Sequence, residues 1–187
     1  MATAIRTIVV LVFSWILVLL TGTISGITDI SGKTLLFLVL SGIATGASWL
    51  CYFKALQNGN VNKVVPIDKS STILTILLAC IFFHEGLSLA KIGCVCMIGV
   101  GTMLMITRKE DVESNTSDKS WLMYAILSAV FASLTSILGK IGISGIDSNL
   151  GTAIRTSVVL VMAWLMVFVK NKESEIISID IKELLFI

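Results

Sequence analysis

The sequence predicts an all-α polytopic membrane protein, a transmembrane bundle of about six spanning helices. Its 187 residues are 56% hydrophobic and 14% charged, whereas soluble domains carry about 25% charged residues. Apolar runs close to 20 residues recur along the chain, and that length spans a bilayer as a helix. The opening segment also returns in the interior, which predicts a duplicated unit. A net charge of +2 is too small for a nucleic-acid-binding surface.

The first apolar run, Ala2–Leu20, is long enough to span and carries one charge, Arg6. A cleaved signal peptide is the competing interpretation, since a basic start precedes an apolar centre and small residues. The segment TAIRT at Thr3–Thr7, however, recurs at Thr152–Thr156, and Trp15 recurs as Trp164. An internal copy is not expected of a leader, so we expect Ala2–Leu20 to be a membrane helix.

The repeat divides the chain into two copies of one unit. The alignment continues without a gap, because Lys33–Phe37 corresponds to Lys182–Phe186. A complete unit would hold five helices, and an odd number inverts the second copy in the membrane, as in many transporters. We interpret the chain as a slice of a longer duplicated protein or as a truncated product. The predicted parts are a first repeat at 1–106 lacking its first helix (helices about 2–20, 34–53, 66–83 and 87–106), a polar linker at 107–120, and a truncated second repeat at 121–187 (helices about 121–143 and 152–169, with another starting at 183).

Small residues predict where helices approach each other closely. Gly42 and Gly46 are four positions apart in the second run, and such spacing lets two membrane helices pack tightly. Gly93, Gly99 and Gly101 give the fourth run a similar composition. These five glycines are the predicted helix-packing positions.

The third run carries the most informative polar residues. Pro66, the only proline, suits the first turn of a helix, and Asp68 and Lys69 follow it. Helical spacing places Asp68, Ser71, Thr72 and Thr75 on one stripe of an otherwise apolar helix. Ionisable groups at membrane depth are costly and mark functional sites. Alternatively, Asp68 and Lys69 mark the helix end at the headgroups, and Lys69 extends its ammonium to water.

These residues form the candidate substrate or coupling site. A carboxylate in a medium of low dielectric holds a proton more tightly, so Asp68 could exchange a proton with a cargo. Arg6 and Arg155 occupy equivalent positions in the two copies and are either paired functional charges or interfacial anchors. The candidate residues are Asp68, Lys69, Ser71, Thr72, Thr75, Arg6 and Arg155.

The composition predicts no enzyme, no metal site and no cofactor. His84 is the only histidine, so neither a zinc site nor a nucleophile–base pair can be assembled. The four cysteines lie in apolar runs, and Cys94 and Cys96 fall on different helix faces. No catalytic residues are predicted.

A set of residues in the first copy resembles the EamA domain of the drug/metabolite transporter superfamily. The matching residues are Ala55-Leu56-Gln57, Pro66, Glu85-Gly86-Leu87, Gly93, Gly99 and Gly101. The resemblance implies a ten-helix bundle of two inverted repeats that moves small metabolites or drugs by alternating access. It also implies that the linker lies outside the cell, whereas the distribution of lysines and arginines places it in the cytoplasm.

The expected function is therefore a secondary carrier in the plasma or inner cell membrane. Its partners would be the lipid bilayer, a small-molecule substrate and a proton as coupling ion, with no nucleic acid. The alternative is a non-transporting subunit or a half-transporter, which a homodimer or a partner half would complete.

Overall fold

The computed structural model describes residues 2–27, 30–83, 86, 88–107 and 120–169. All regular structure within these ranges is helical. A short 3₁₀ helix at Thr23–Ile27 follows α1. The α-helices are α1 (Ala2–Leu20), α2 (Gly32–Asn58), α3 (Val61–Lys69), α4 (Ser71–Phe83), α5 (Leu89–Thr107), α6 (Ser120–Ile143) and α7 (Ser148–Val169).

Four helical segments are long and apolar enough to cross a membrane. They are Gly32–Asn58, Val61–Phe83, Ser120–Ile143 and Ser148–Phe168, and shorter apolar helices lie at Ile5–Leu20 and Leu89–Leu104. The predicted fold class, an all-helical polytopic membrane bundle, is confirmed. The count of six spans and the assignment of two repeats stay predictions.

Local chemistry explains several helix ends. Gly22 and Gly145 follow α1 and α6 with φ of 68° and 103°, a left-handed conformation that glycine adopts without strain. Asp147 precedes α7, and its side chain accepts a hydrogen bond of 2.8 Å from the Asn149 amide. Such capping satisfies an amide that has no partner within the helix.

The prediction for Pro66 was wrong. Pro66 was expected in the first turn, but α3 begins five residues earlier at Val61. The Asn60 side chain caps this helix by accepting a hydrogen bond of 2.9 Å from the Asn62 amide. The helix tolerates an internal proline, although it loses one backbone hydrogen bond there. Because α2 also continues to Asn58, most of the segment between the predicted helices at 34–53 and 66–83 is helical.

The expected third helix is divided into α3 and α4 at Ser70. The Ser70 amide still bonds to the Pro66 carbonyl at 3.0 Å, and its hydroxyl donates to the Ile67 carbonyl at 2.6 Å. The two helices therefore form one hydrogen-bonded segment with a local irregularity. Most of the predicted linker, His84, Glu85 and the helix start predicted at 183 lie outside the described residues.

The described residues divide into two compact units, and the division falls within α2 and α6. The first unit contains residues 1–46 and 138–187, and the second contains residues 47–137.

In the first unit, α1 packs against α7. Val18, near the end of α1, clusters with Leu150 and Ala153, near the start of α7, and Trp15 packs against them. The end of one helix therefore lies beside the start of the other, which makes the pair antiparallel. Helices that are copies of one segment lie antiparallel when their repeats are inverted.

In the second unit, α5 contacts α3 and α4. A buried cluster of Ala55, Val64 and Ala125 joins α2, α3 and α6, and Tyr52 and Trp121 pack against it. At its edge the Lys54 ammonium lies 4.7 Å from the centroid of the Tyr124 ring, a cation–π distance.

Candidate functional site

Asp68 is held by a hydrogen bond from a neighbouring helix of the second unit. The Ser128 hydroxyl of α6 donates to Asp68 Oδ1 at 2.7 Å. Ser128 is fully buried, and Asp68 is partly buried. A charge-assisted bond of this length is among the stronger hydrogen bonds in proteins. The carboxyl group therefore contacts α6 within the second unit.

Ser48 of α2 extends the polar contact to a third helix. Its hydroxyl donates to the Ser128 carbonyl at 3.1 Å, and its oxygen lies 3.4 Å from Ser128 Oγ. Three hydrogen-bonding side chains thus meet where α2, α3 and α6 approach each other. We call Asp68, Ser128 and Ser48 the polar triad.

Each residue of the polar triad lies several residues from one end of its helix, and Asp68 is also one residue from the other end of α3, at Lys69. Asp68 is seven residues from the start of α3, Ser128 is eight from the start of α6, and Ser48 is ten from the end of α2. At 1.5 Å per residue these separations are about 10–15 Å. The end of α2 and the starts of α3 and α6 lie close together. Gly59 connects α2 to α3, and a Cβ on it would be 2.8 Å from Cβ of Trp121, near the start of α6.

A mainly apolar cleft of about 250 Å³ lies in the same unit, between α3–α4 and α6. Ser70 is the only polar residue that lines it. Its walls also contain Ile67, the neighbour of Asp68, and Ala129, the neighbour of Ser128. The cleft and the polar triad are therefore formed by adjacent residues of the same helices, but no triad residue lines the cleft. The lining is Ile67, Ser70, Ile73, Leu74, Leu77, Ile126, Ala129 and Val130.

The other residues of the predicted stripe do not join Asp68 in one contact. Lys69 and Thr72 are exposed, whereas Ser71 and Thr75 are partly buried. The Thr75 hydroxyl donates to the Ser71 carbonyl at 2.8 Å, so it is satisfied within its own helix. None of these four residues lines the cleft.

The two symmetry-related arginines have different surroundings in the first unit. Arg6 is exposed, and Arg155 is partly buried. The position that a Cβ on Gly139 would take lies 3.3 Å from both Arg155 Nη1 and Ser41 Oγ. The missing side chain of Gly139 therefore makes the space in which the guanidinium group packs.

The structure separates the five predicted packing glycines into two groups. A Cβ on Gly42 would be 2.6 Å from Val158 Cγ1, and a Cβ on Gly46 would be 2.8 Å from Met162 Cε, so α2 touches α7 at both. Such distances exclude a larger residue without movement. At Gly93, Gly99 and Gly101 of α5, no atom of the residues that the structure describes lies within 4 Å of the Cβ position.

Sequence reasoning missed Ser48 and Ser128, the partners of Asp68. The sequence does contain a pattern that includes Ser128. Small residues recur along α6 at alternating spacings of three and four, namely Ala125, Ser128, Ala132, Thr135 and Gly139. Four of these five are buried, and Ala132 is partly buried. The pattern identifies the contact face of α6 but not the residue that it meets.

Asp68 of the polar triad can accept further hydrogen bonds. The Asp68 carboxylate has one oxygen bonded to Ser128, and a carboxylate has further acceptor positions on both oxygens. Within the described ranges, no three His, Cys, Asp or Glu residues are grouped in a way that could hold a metal ion.

A model of the EamA-like transporter family matches residues 1–107, more than half of the chain. The chain belongs to this family. An uncharacterized transporter in the cobO 3′ region of Sinorhizobium sp is 42% identical over 104 residues, which are 56% of this chain and 74% of that protein. The uncharacterized transporter YxxF of Bacillus subtilis (strain 168) is 24% identical over 109 residues, 58% of this chain and 35% of that protein. No solved structure matches the chain significantly.

The EamA assignment agrees with the helical architecture and identifies the chain as a multi-pass membrane transporter. The family match contains α1 to α5, and therefore both Asp68 and Ser48. Ser128 lies on α6, outside the matched residues. The hydrogen bond to Asp68 thus joins the matched and unmatched parts of the chain.

Proposed function

We propose that the protein is a secondary carrier of small metabolites or drug-like molecules in the cell membrane, and that Asp68 is its coupling or substrate-recognising group. The observation that carries this proposal is the bond between the partly buried Asp68 carboxyl and the fully buried Ser128. In a hydrocarbon core about 30 Å thick, a site some 10–15 Å from the helix ends is near the midplane. Carboxyl groups there are costly and mark ion or substrate paths.

The antiparallel pair α1 and α7 supports alternating access as the mechanism. Carriers built of inverted repeats move by rocking one repeat against the other around a central site. Asp68 would bind the substrate or a proton in turn, and the apolar cleft would accept an apolar part of the cargo. Chemistry of the enzymatic kind is not proposed, because the family is a transporter family.

A proton-gradient assay in everted membrane vesicles tests this function without a known substrate. Vesicles with the full chain are acidified by respiration, and acridine orange fluorescence follows the gradient while a panel of small metabolites and drugs is added. We expect at least one compound to discharge the gradient with the parent protein but not with Asp68→Asn. The exposed Lys63 of the same helix provides a matched control, since Lys63→Gln should behave as the parent does.

Two results count against the proposal. If Asp68→Asn and the parent respond equally to an active compound, Asp68 has no coupling role. If no compound discharges the gradient with the parent, a second candidate is favoured: a half-transporter or non-transporting subunit that needs a partner. The three glycines of α5 favour this candidate. Glycines in membrane helices commonly form helix contacts, but within the described part of the chain no atom lies within 4 Å of their Cβ positions.

A further inference from the structure

Arg155 carries a positive charge well inside α7, in the first unit. It lies seven residues after Ser148, the first residue of the helix, and therefore about 10 Å along the helix axis. Its side chain is partly buried, whereas Arg6, its counterpart in α1, is exposed. Ionisable groups inside membrane helices are costly and mark the paths of ions or substrates. Of the two arginines, Arg155 is therefore the better candidate for a binding role.

The described residues of the first unit contain no carboxylate beside Arg155. Their single acidic residue is Asp147, which lies eight positions earlier in the sequence, about two helical turns away. The Asp147 carboxylate caps α7 by accepting a hydrogen bond of 2.8 Å from the Asn149 amide. The basic residues in the same ranges are Arg6, Lys33, Lys140 and Arg155. This excess of positive charge favours an anion that comes from outside the described residues.

Two polar groups meet at Gly139 of α6. A Cβ on this glycine would lie 3.3 Å from Arg155 Nη1 and 3.3 Å from Oγ of Ser41, on α2. Ser41 is fully buried, whereas part of the Arg155 side chain stays accessible. A guanidinium group holds five N–H donors in a planar fork, and this fork matches the oxygens of a carboxylate or a phosphate. Packing at Gly139 therefore holds one edge of the fork, and the accessible part can receive an oxyanion.

We propose that Arg155 binds an oxyanion of the cargo, a carboxylate or a phosphate group. The inference rests on the proposed transport function and names the chemical class of the substrate. The site itself needs only the first unit, because Arg155, Gly139 and Ser41 all belong to it. Asp68 belongs to the second unit, so the two sites can be tested separately.

The thermal stability of the purified full chain in phosphatidylcholine nanodiscs tests the site without transport. The probes are benzoate and phenyl phosphate, and benzamide is a neutral control of similar shape. A ligand that binds the folded state raises the unfolding temperature as its concentration increases. We expect at least one of the two anions to raise it and benzamide to have no effect. No rise with either anion, or an equal rise with benzamide, would overturn the proposal.

Substitutions of the two arginines assign the response to one residue. Arg155→Gln should weaken binding of the active anion by about ten- to a hundredfold, because hydrogen bonds to charged groups are strong. Arg6→Gln changes the equivalent exposed residue and should bind as the parent does. Equal affinity in the parent and in Arg155→Gln would overturn the proposal. If Arg155→Gln does not fold, Arg155→Lys replaces it. Lysine keeps the charge without the planar fork, and unchanged affinity in that variant would also overturn the proposal.

A change of lipid distinguishes a cargo from a lipid headgroup as the source of the oxyanion. Nanodiscs that contain phosphatidylglycerol should leave the response to the active anion in place. If this lipid instead raises the unfolding temperature through Arg155 and abolishes the response to the probes, Arg155 binds a headgroup, and the proposal is wrong.

The stability assay and the gradient assay can fail independently. An absent anion response beside an Asp68-dependent discharge of the gradient would refute only the oxyanion site. An anion response that depends on Arg155, beside no discharge by any compound, would support the oxyanion site and count against transport by this chain alone.

Discussion

Asp68 in the second unit and Arg155 in the first are both partly buried charges on membrane helices, but they are accommodated in opposite ways. A neighbouring side chain, Ser128, extends to Asp68 and forms a hydrogen bond of 2.7 Å. Arg155 packs where a side chain is missing, at Gly139. A hydrogen bond from Ser128 stabilises the Asp68 carboxylate, whereas the small Gly139 leaves room for the Arg155 guanidinium group.

This difference determines which substitutions disturb each site. Removing atoms near Asp68 should be harmful, because a buried polar group without a partner is costly. Adding atoms near Arg155 should be harmful, because the space is already filled to contact distance. The predictions below test this distinction, from the largest expected effect to the smallest.

Gly139→Val should lower the stability of the protein more than the other substitutions do. The branched side chain would collide with Arg155 Nη1 and Ser41 Oγ, each 3.3 Å from the Cβ position. Overpacking of this kind costs about 1–3 kcal/mol. The thermal stability of the purified protein in detergent, followed by size-exclusion chromatography after heating, would measure it.

The matched control for that substitution is Gly101→Val in α5. No atom of the described ranges lies within 4 Å of the Cβ position there, so the stability should change little. If both valine variants lose the same stability, the space at Gly139 is not what accommodates Arg155.

Ser128→Ala should weaken the Asp68 site without unfolding the protein. Loss of the hydroxyl removes one hydrogen bond, and in membrane proteins such bonds contribute about 0.6–2 kcal/mol. Vesicle transport of an active compound should therefore fall by roughly three- to thirtyfold. Ser128→Thr keeps the hydroxyl and should retain most activity. Equal loss in both variants would indicate a packing effect, not a hydrogen bond to Asp68.

Arg155→Lys and Arg6→Lys should lower the stability least, and the two losses should differ. Lysine keeps the charge but lacks the planar guanidinium group. At the partly buried Arg155 we expect a loss of about 1 kcal/mol, and at the exposed Arg6 less than about 0.5 kcal/mol. The same heating assay compares them. A larger loss at Arg6 than at Arg155 would contradict the different surroundings of the two arginines.

Composition and periodicity were sufficient to predict the all-helical membrane fold. For example, α1 extends over Ala2–Leu20, the bounds that the apolar run indicates, because a polar segment with Gly22 follows it. The start of α3 was missed because proline is favoured in a first turn but is also tolerated further inside a helix. The Asn60 cap was the better indication of that start.

Side-chain partners were much less predictable. Asp68 stands out as a carboxyl group in an apolar run, but its partner Ser128 is sixty residues away. Likewise, the glycines of α2 and α5 have similar compositions, and only contacts with α7 distinguish Gly42 and Gly46. Helical periodicity defines the faces of one helix, whereas the helix that meets each face depends on the tertiary fold.

Our central proposal is that α1 and α7 are inverted copies that cross the membrane in opposite directions. Single cysteines at Thr21, after α1, and at Phe168, near the end of α7, test it in a background without Cys51, Cys80, Cys94 and Cys96. A membrane-impermeant maleimide is applied to intact cells and to everted vesicles. We predict that Thr21→Cys and Phe168→Cys react from opposite faces, and that Ser148→Cys, at the start of α7, reacts from the same face as Thr21→Cys. Reaction of Thr21→Cys and Phe168→Cys from the same face would contradict the inverted arrangement.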